Sequence, residues 1–135
     1  MEVLSFITID KTILDHFKGF IQSYPKLILG GQDEDTEYYI NPKTDRNEIY
    51  FHFIPEDVKK QFEYNYTLED QNKIESYLGA KDLLIFDIQY KDEKELIHLL
   101  GSFDFYLRNK CPEINSVVLI HHPFKGIKKL EQFTY

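Results

Sequence analysis

Cysteine, tryptophan and long apolar runs are scarce in this sequence, which has one cysteine, Cys111, and no tryptophan. A single cysteine excludes an internal disulfide, and no base lies next to Cys111 in the sequence to activate a catalytic thiol. The N-terminus lacks the basic start and apolar run of a signal peptide, and no apolar stretch reaches the roughly 20 residues of a membrane span. We therefore expect a reducing, cytoplasmic location.

Positively charged residues are also fewer than negatively charged ones. Lysine and arginine number 16 against 23 aspartates and glutamates, so the formal net charge is -7. Repulsion from phosphates argues against nucleic-acid binding and against an anionic membrane surface. The same charge favours encounter with a basic protein partner.

The familiar catalytic and cofactor motifs are missing. Gly30 and Gly31 are followed by acidic residues rather than by a phosphate-binding pattern, and no G-x-S-x-G, H-E-x-x-H or C-x-x-C occurs. Glu95 and His98 share a helix face, but a ferritin-like metal site needs two such steps in a four-helix bundle. We predict no cofactor, no metal site and no catalytic residue.

The 135 residues are enough for one domain, residues 1–135, and the 10 tyrosines and 11 phenylalanines supply its core. Runs of β-forming residues predict strands at 3–9, 26–29, 38–40, 48–54, 83–90 and 116–121. Apolar residues at helical spacing predict helices that begin after Asp10 or Thr12, at Pro55, after Thr67 and after Asp92. Thr67 and Asp70 are spaced as in a capping box, and Asp92, with Glu95 three residues later, is the predicted cap of the last of these helices. Residues 126–135 predict an amphipathic turn or short helix.

The resulting element order is β-α-β-β-β-α-α-β-α-β. Its ends resemble βαβ units and its middle resembles an antiparallel hairpin. We predict a fold of the α+β (mixed α/β) class, with helices packed on a central mixed β-sheet.

An acidic stretch next to two tyrosines is the strongest candidate for a binding site. It lies in the loop predicted at residues 30–37 and in the strand after it, where clustered carboxylates complement a basic partner and tyrosine is favoured at binding hot spots. The predicted partner-binding residues are Asp33, Glu34, Asp35, Glu37, Tyr38 and Tyr39.

Two other functions stay open on the sequence alone. A small enzyme would use dispersed groups, namely Asp87, His98, His121 and His122, and would bring them into one pocket. A structural or regulatory subunit would expose a large apolar patch for oligomerisation.

In overall character the chain resembles bacterial immunity proteins of contact-dependent inhibition and polymorphic toxin systems. The resemblance consists of its length, the acidic run DEDTEYY at residues 33–39 and the missing catalytic signature. It implies a non-catalytic module that binds and neutralises a cognate basic toxin, such as a nuclease. It transfers no individual site residue to this chain.

Overall fold

The computed structural model describes residues 2–79, 82–115 and 118–133. The strands are β1 (Glu2–Thr8), β2 (Ile28–Gln32), β3 (Thr36–Asn41), β4 (Arg46–His52), β5 (Leu84–Tyr90), β6 (Val118–His122) and β7 (Gly126–Lys129). The helices are α1 (Ile13–Gln22), α2 (Val58–Tyr64), α3 (Leu68–Leu78), α4 (Glu93–Lys110) and α5 (Pro112–Asn115), followed by a 3-10 turn at Leu130–Phe133. Residues 116–117 of the last predicted strand and residues 134–135 of the predicted terminal turn lie outside the described residues.

All seven strands form one sheet in the order β2-β3-β4-β5-β1-β6-β7. The α+β class is confirmed, but the mixed sheet is wrong because every neighbouring pair is antiparallel. The strand that follows α4, β6, does run parallel to β5. The two strands do not pair, however, because β1 lies between them. The predicted order β-α-β-β-β-α-α-β-α-β also omits α5 and β7. The 3-10 turn at Leu130–Phe133, which buries both end residues, confirms the predicted amphipathic turn.

The largest local error concerns the glycine pair, which we expected to end the second strand. Instead β2 continues through Gly30 and Gly31 with a register shift, and β3 begins at Thr36. A Cβ at Gly30 would lie 2.7 Å from the Ile40 side chain, and one at Gly31 would lie 3.2 Å from the Tyr38 ring. The glycines therefore make room for side chains of β3, and the predicted loop shrinks to a three-residue hairpin tip.

Local capping signals in the sequence were more reliable. Thr67 and Asp70 form the predicted capping box at the start of α3, and Asp92 accepts from the Glu95 amide at the start of α4. Pro55 lies outside α2, which begins at Val58 because Asp57 provides the N-cap. Within the described residues, no helix is both long and apolar enough to cross a membrane.

One face of the sheet carries α1 and α4 on an aromatic core. The ring of Phe17 lies 4.5 Å from that of Phe51, 5.1 Å from that of Phe103 and 5.4 Å from that of Phe6, measured between centroids. Because alternate strand residues point to one face, Leu4 and Phe6 of β1 and Phe86, Ile88 and Tyr90 of β5 join this cluster. This face holds the larger of the two buried apolar clusters.

The other face of the sheet is covered only in part. Helices α2 and α3 pack there on Ile7, Ile85, Leu119 and Ile127, which belong to β1, β5, β6 and β7. Among the described residues, none from β2, β3 or β4 joins this second cluster. The strands at that side of the sheet therefore present an open sheet face, made of Tyr38, Tyr50, His52 and Gln89, all of them partly exposed.

Four tyrosines make the fold sensitive to alkali. Burial raises the pKa of Tyr24 from 10.0 to about 12, and burial also raises the pKa values of Tyr39, Tyr66 and Tyr90 above 10.0. A raised folded-state pKa gives stability that is complete below the unfolded value and is lost as pH rises through the folded value.

We therefore expect the free energy of unfolding to fall steeply above a pH of about 10, measured by urea titration at successive pH values. In Tyr66→Phe the fall should be shallower, because one raised pKa is removed. An unfolding free energy that stays constant from pH 10 to pH 12 would contradict this reading of the tyrosines.

Candidate functional site

The acidic hairpin tip joins β2 to β3 and consists of Asp33, Glu34 and Asp35, all exposed. The Asp33 amide donates to the Thr36 carbonyl, and the Phe53 amide donates to the Asp35 carbonyl, so the tip is tied to β3 and to the chain after β4. Tyr38 donates its hydroxyl proton to Asp33. The tip is thus an anchored set of three surface carboxylates.

Glu37 and Tyr39, which we predicted in the same site, point into the opposite face of the sheet. Glu37 is 8% exposed and Tyr39 is 2% exposed. The Glu37 carboxylate accepts from the Tyr39 hydroxyl at 2.8 Å and lies 3.6 Å from the Lys18 ammonium. These two residues belong to the packing beneath α1, whereas Asp33, Glu34, Asp35 and Tyr38 remain on the surface.

The open sheet face begins directly beside the hairpin tip. The Tyr38 and Tyr50 rings meet edge to face, with centroids 5.1 Å apart. His52 is held by Thr36 through Nδ1 at 3.0 Å and by Gln89 through Nε2 at 2.9 Å. This surface combines aromatic area with fixed polar groups, which suits a protein contact.

A row of polar side chains crosses the same face of the sheet. Ser5 lies opposite Asp87 on one side and opposite His121 on the other, and its hydroxyl donates to Asp87 Oδ1 at 2.6 Å. Ser5, Asp87 and His121 line a cavity of about 360 Å³ that is closed on its other side by α2. The structure therefore brings Asp87 and His121 together.

Glu56 adds a second carboxylate beside Asp87. Its amide donates to the Ile85 carbonyl at 2.8 Å, which holds the segment before α2 against β5. Burial raises the pKa of Glu56, and the charge of Asp87 raises it further, while His52 and Gln61 act in the opposite direction. Two carboxyl groups so close favour a shared proton or a bound cation.

His121 sits at the far end of the polar row. Its ring packs against that of Tyr66 at a tilt of 34°, with centroids 4.2 Å apart, and its Nε2 lies 3.9 Å from the Asp70 carboxylate. Burial lowers the pKa of His121, although Asp70 and Asp87 oppose that shift. The Tyr66 hydroxyl is buried and has no hydrogen-bond partner among the described residues.

His122 and His98 lie elsewhere. The His122 side chain points to the α4 face, where Nδ1 accepts from the amides of Phe124 and Lys125 and Nε2 donates to Glu93 at 2.6 Å. His98 is exposed on α4, with Nδ1 2.8 Å from the Tyr24 hydroxyl. His122 thus holds the turn after β6, and neither histidine reaches the polar row.

We expect His122→Phe to lower the free energy of unfolding by about 2–4 kcal/mol, because three hydrogen bonds disappear and Glu93 loses its buried donor. The matched variant His121→Phe keeps the ring packing against Tyr66 and should cost less than about 1 kcal/mol. Urea denaturation of both variants checks the difference. Equal losses would show that His122 has no special structural role.

Sequence reasoning missed several groups of the site. Ser5 and Asp87 are each a polar residue within an otherwise apolar strand. This pattern singled out Asp87 and could equally have singled out Ser5. His52 and Glu56 had no such signal, since only the pairing of β4 with β5 brings them to Asp87. The sequence also did not show that a base lies beside Cys111. Its sulfur is 3.6 Å from Nε2 of His16, a residue 95 positions earlier in the chain.

In the polar row the Ser5 hydroxyl donates to a carboxylate, that of Asp87, and not to a histidine. Among the described residues Ser5 therefore does not form the Ser-His pair of a histidine-activated nucleophile. No group of three or more His, Cys, Asp or Glu side chains in the described part of the chain is arranged to hold a metal ion. The polar row provides hydrogen-bond acceptors and two neighbouring carboxylates.

Comparisons with protein-family models, curated proteins and solved structures gave no match to this chain.

Proposed function

We propose that this chain is a non-catalytic module that binds and neutralises a basic protein, in the manner of the immunity proteins it resembles. The observation that supports this most is the continuity of the acidic hairpin tip with the open sheet face. Three exposed carboxylates border a surface that carries two tyrosines and is free of a covering helix. Such a surface offers both charge and aromatic contact area.

The carboxylates of this surface are not neutralised within the chain. Among the described residues, no lysine or arginine nitrogen lies within 4.0 Å of a carboxylate oxygen of Asp33, Glu34, Asp35, Glu56 or Asp87. Charges left unpaired at a surface steer an oppositely charged protein toward it. The fitting partner is a toxin with a basic face, for example the substrate-binding face of a nuclease.

A complex of ordinary size would bury about 800 Å² on each partner. A purely oligomerising subunit is less well supported, because the most exposed large apolar side chains belong to different elements. They include Leu68 of α3, Phe105 of α4 and Phe124 after β6.

Co-expression with the product of the neighbouring open reading frame tests the proposal. We expect cells that make that product to survive only when this chain is present, and the two purified proteins to elute as one complex in size-exclusion chromatography. Survival without the chain, or separate elution of the two proteins, would remove the support for neutralisation by direct binding.

A further inference from the structure

The cavity beside the polar row is large enough for one side chain of a partner. It is bounded by β1, β5, β6 and α2, has a volume of about 360 Å³, and is open to solvent. That volume lies within the usual range for small-ligand sites, roughly 300–1,000 Å³. Its lining includes Ser5, Asp87 and His121 from the sheet, Gln61 from α2, and Asn65, the residue that follows α2.

Acceptor groups dominate this cavity. Ser5 donates to Asp87, and the Asn65 amide donates to Gln61 Oε1 at 2.9 Å. Glu56 is held on β5 by its amide, which donates to the Ile85 carbonyl two residues from Asp87, and the charge of Asp87 raises the pKa of Glu56. Among the described residues, neither of these two carboxyl groups has a lysine or arginine nitrogen within 4.0 Å.

We propose that this cavity binds a single guanidinium group, the side chain of an arginine that the basic partner presents. The inference rests on the proposed function, because the partner supplies the arginine. A guanidinium fits better than an ammonium, since its five N–H donors form a planar fork that can bond Asp87 and Glu56 together. Bidentate pairing with carboxylates is also among the strongest hydrogen bonds that proteins make.

Short peptides provide the test without requiring the partner. The probes are acetyl-Gly-Arg-Gly-amide, its lysine analogue, and its citrulline analogue, which has nearly the same shape but no charge. Each is titrated into the full chain and followed by two-dimensional NMR of the backbone amides. We expect saturable shifts at residues 5, 87 and 121 with the arginine peptide, weaker binding of lysine and none of citrulline.

Two variants locate the binding. Asp87→Asn keeps an oxygen for Ser5 and should weaken arginine-peptide binding about tenfold or more. Glu56→Gln should weaken it in the same direction. Asp15→Asn removes one negative charge at an exposed position of α1, on the opposite face of the sheet, and should leave the affinity unchanged. The spectra themselves report whether each variant is folded.

Equal binding of the arginine and citrulline peptides, tighter binding of lysine, or shifts confined to other residues would each overturn the assignment. These outcomes are distinguishable from failure of the proposed function. A partner complex that forms although no arginine peptide binds would overturn the guanidinium site alone, whereas separate elution of the two proteins counts against neutralisation.

Discussion

Phe103→Ala is expected to lower the free energy of unfolding by about 3–5 kcal/mol, a large share of the roughly 5–15 kcal/mol that holds a typical domain together. Phe103 is 0% exposed, and its ring centroid lies 5.1 Å from that of Phe17 and 5.2 Å from that of Phe20. Truncation therefore removes contacts that fix α4 on α1 and leaves a cavity that neighbouring rings cannot fill completely.

The same helix offers the control. Phe105 is 69% exposed, so Phe105→Ala should change the free energy of unfolding by no more than about 0.5 kcal/mol. Urea denaturation, with both variants compared to the wild type, measures the two effects. A large loss for Phe105→Ala, or a small one for Phe103→Ala, would contradict the orientation of α4 in this fold.

Reversing the charge of the hairpin tip should have the largest effect on function. With Asp33, Glu34 and Asp35 all changed to lysine, we expect association with the basic partner to slow by about 10- to 1,000-fold at low ionic strength. The three side chains are exposed, so the fold should survive the change. Added salt should narrow the difference, because it screens charges at the surface. Stopped-flow or surface-based kinetics with the purified partner measures the rate.

A matched variant separates local from overall charge. Changing Glu2, Glu63 and Glu75 to lysine alters the net charge by the same amount, but these exposed acids lie in β1, α2 and α3, away from the hairpin tip. We expect a clearly smaller loss of association rate in this variant. Equal losses in both would mean that net charge, rather than the hairpin tip, drives the encounter.

Local features of the fold could be predicted from the sequence, whereas the long-range pairing of strands could not. The capping box at Thr67 and the cap at Asp92 depend on residues three apart, and both were confirmed. The antiparallel sheet depends on pairings such as Ser5 with Asp87, which are 82 residues apart. No local pattern encodes which strands become neighbours, so the βαβ-like ends of the chain predict a mixed sheet although all the observed pairs are antiparallel.

The candidate site shows the same difference between local features, which could be predicted, and long-range contacts, which could not. The exposure of Asp33, Glu34 and Asp35 followed from their charge and from the turn that holds them. The burial of Glu37 and Tyr39 follows from strand alternation, which puts both on the face opposite Tyr38. Residues 30–37 were predicted as a loop, so alternation was not applied to Glu37. The meeting of Asp87 with His121 required the tertiary pairing of β5 and β6 with β1.

The most direct test of the central claim is a hydrogen-exchange footprint of the complex between this chain and its basic partner. We predict protection on binding at the hairpin tip and along β3 and β4, with exchange in α1 and α4 unchanged. Protection confined to the α1 and α4 side, with the hairpin tip exchanging as in the free protein, would contradict the assignment of the acidic surface as the interface.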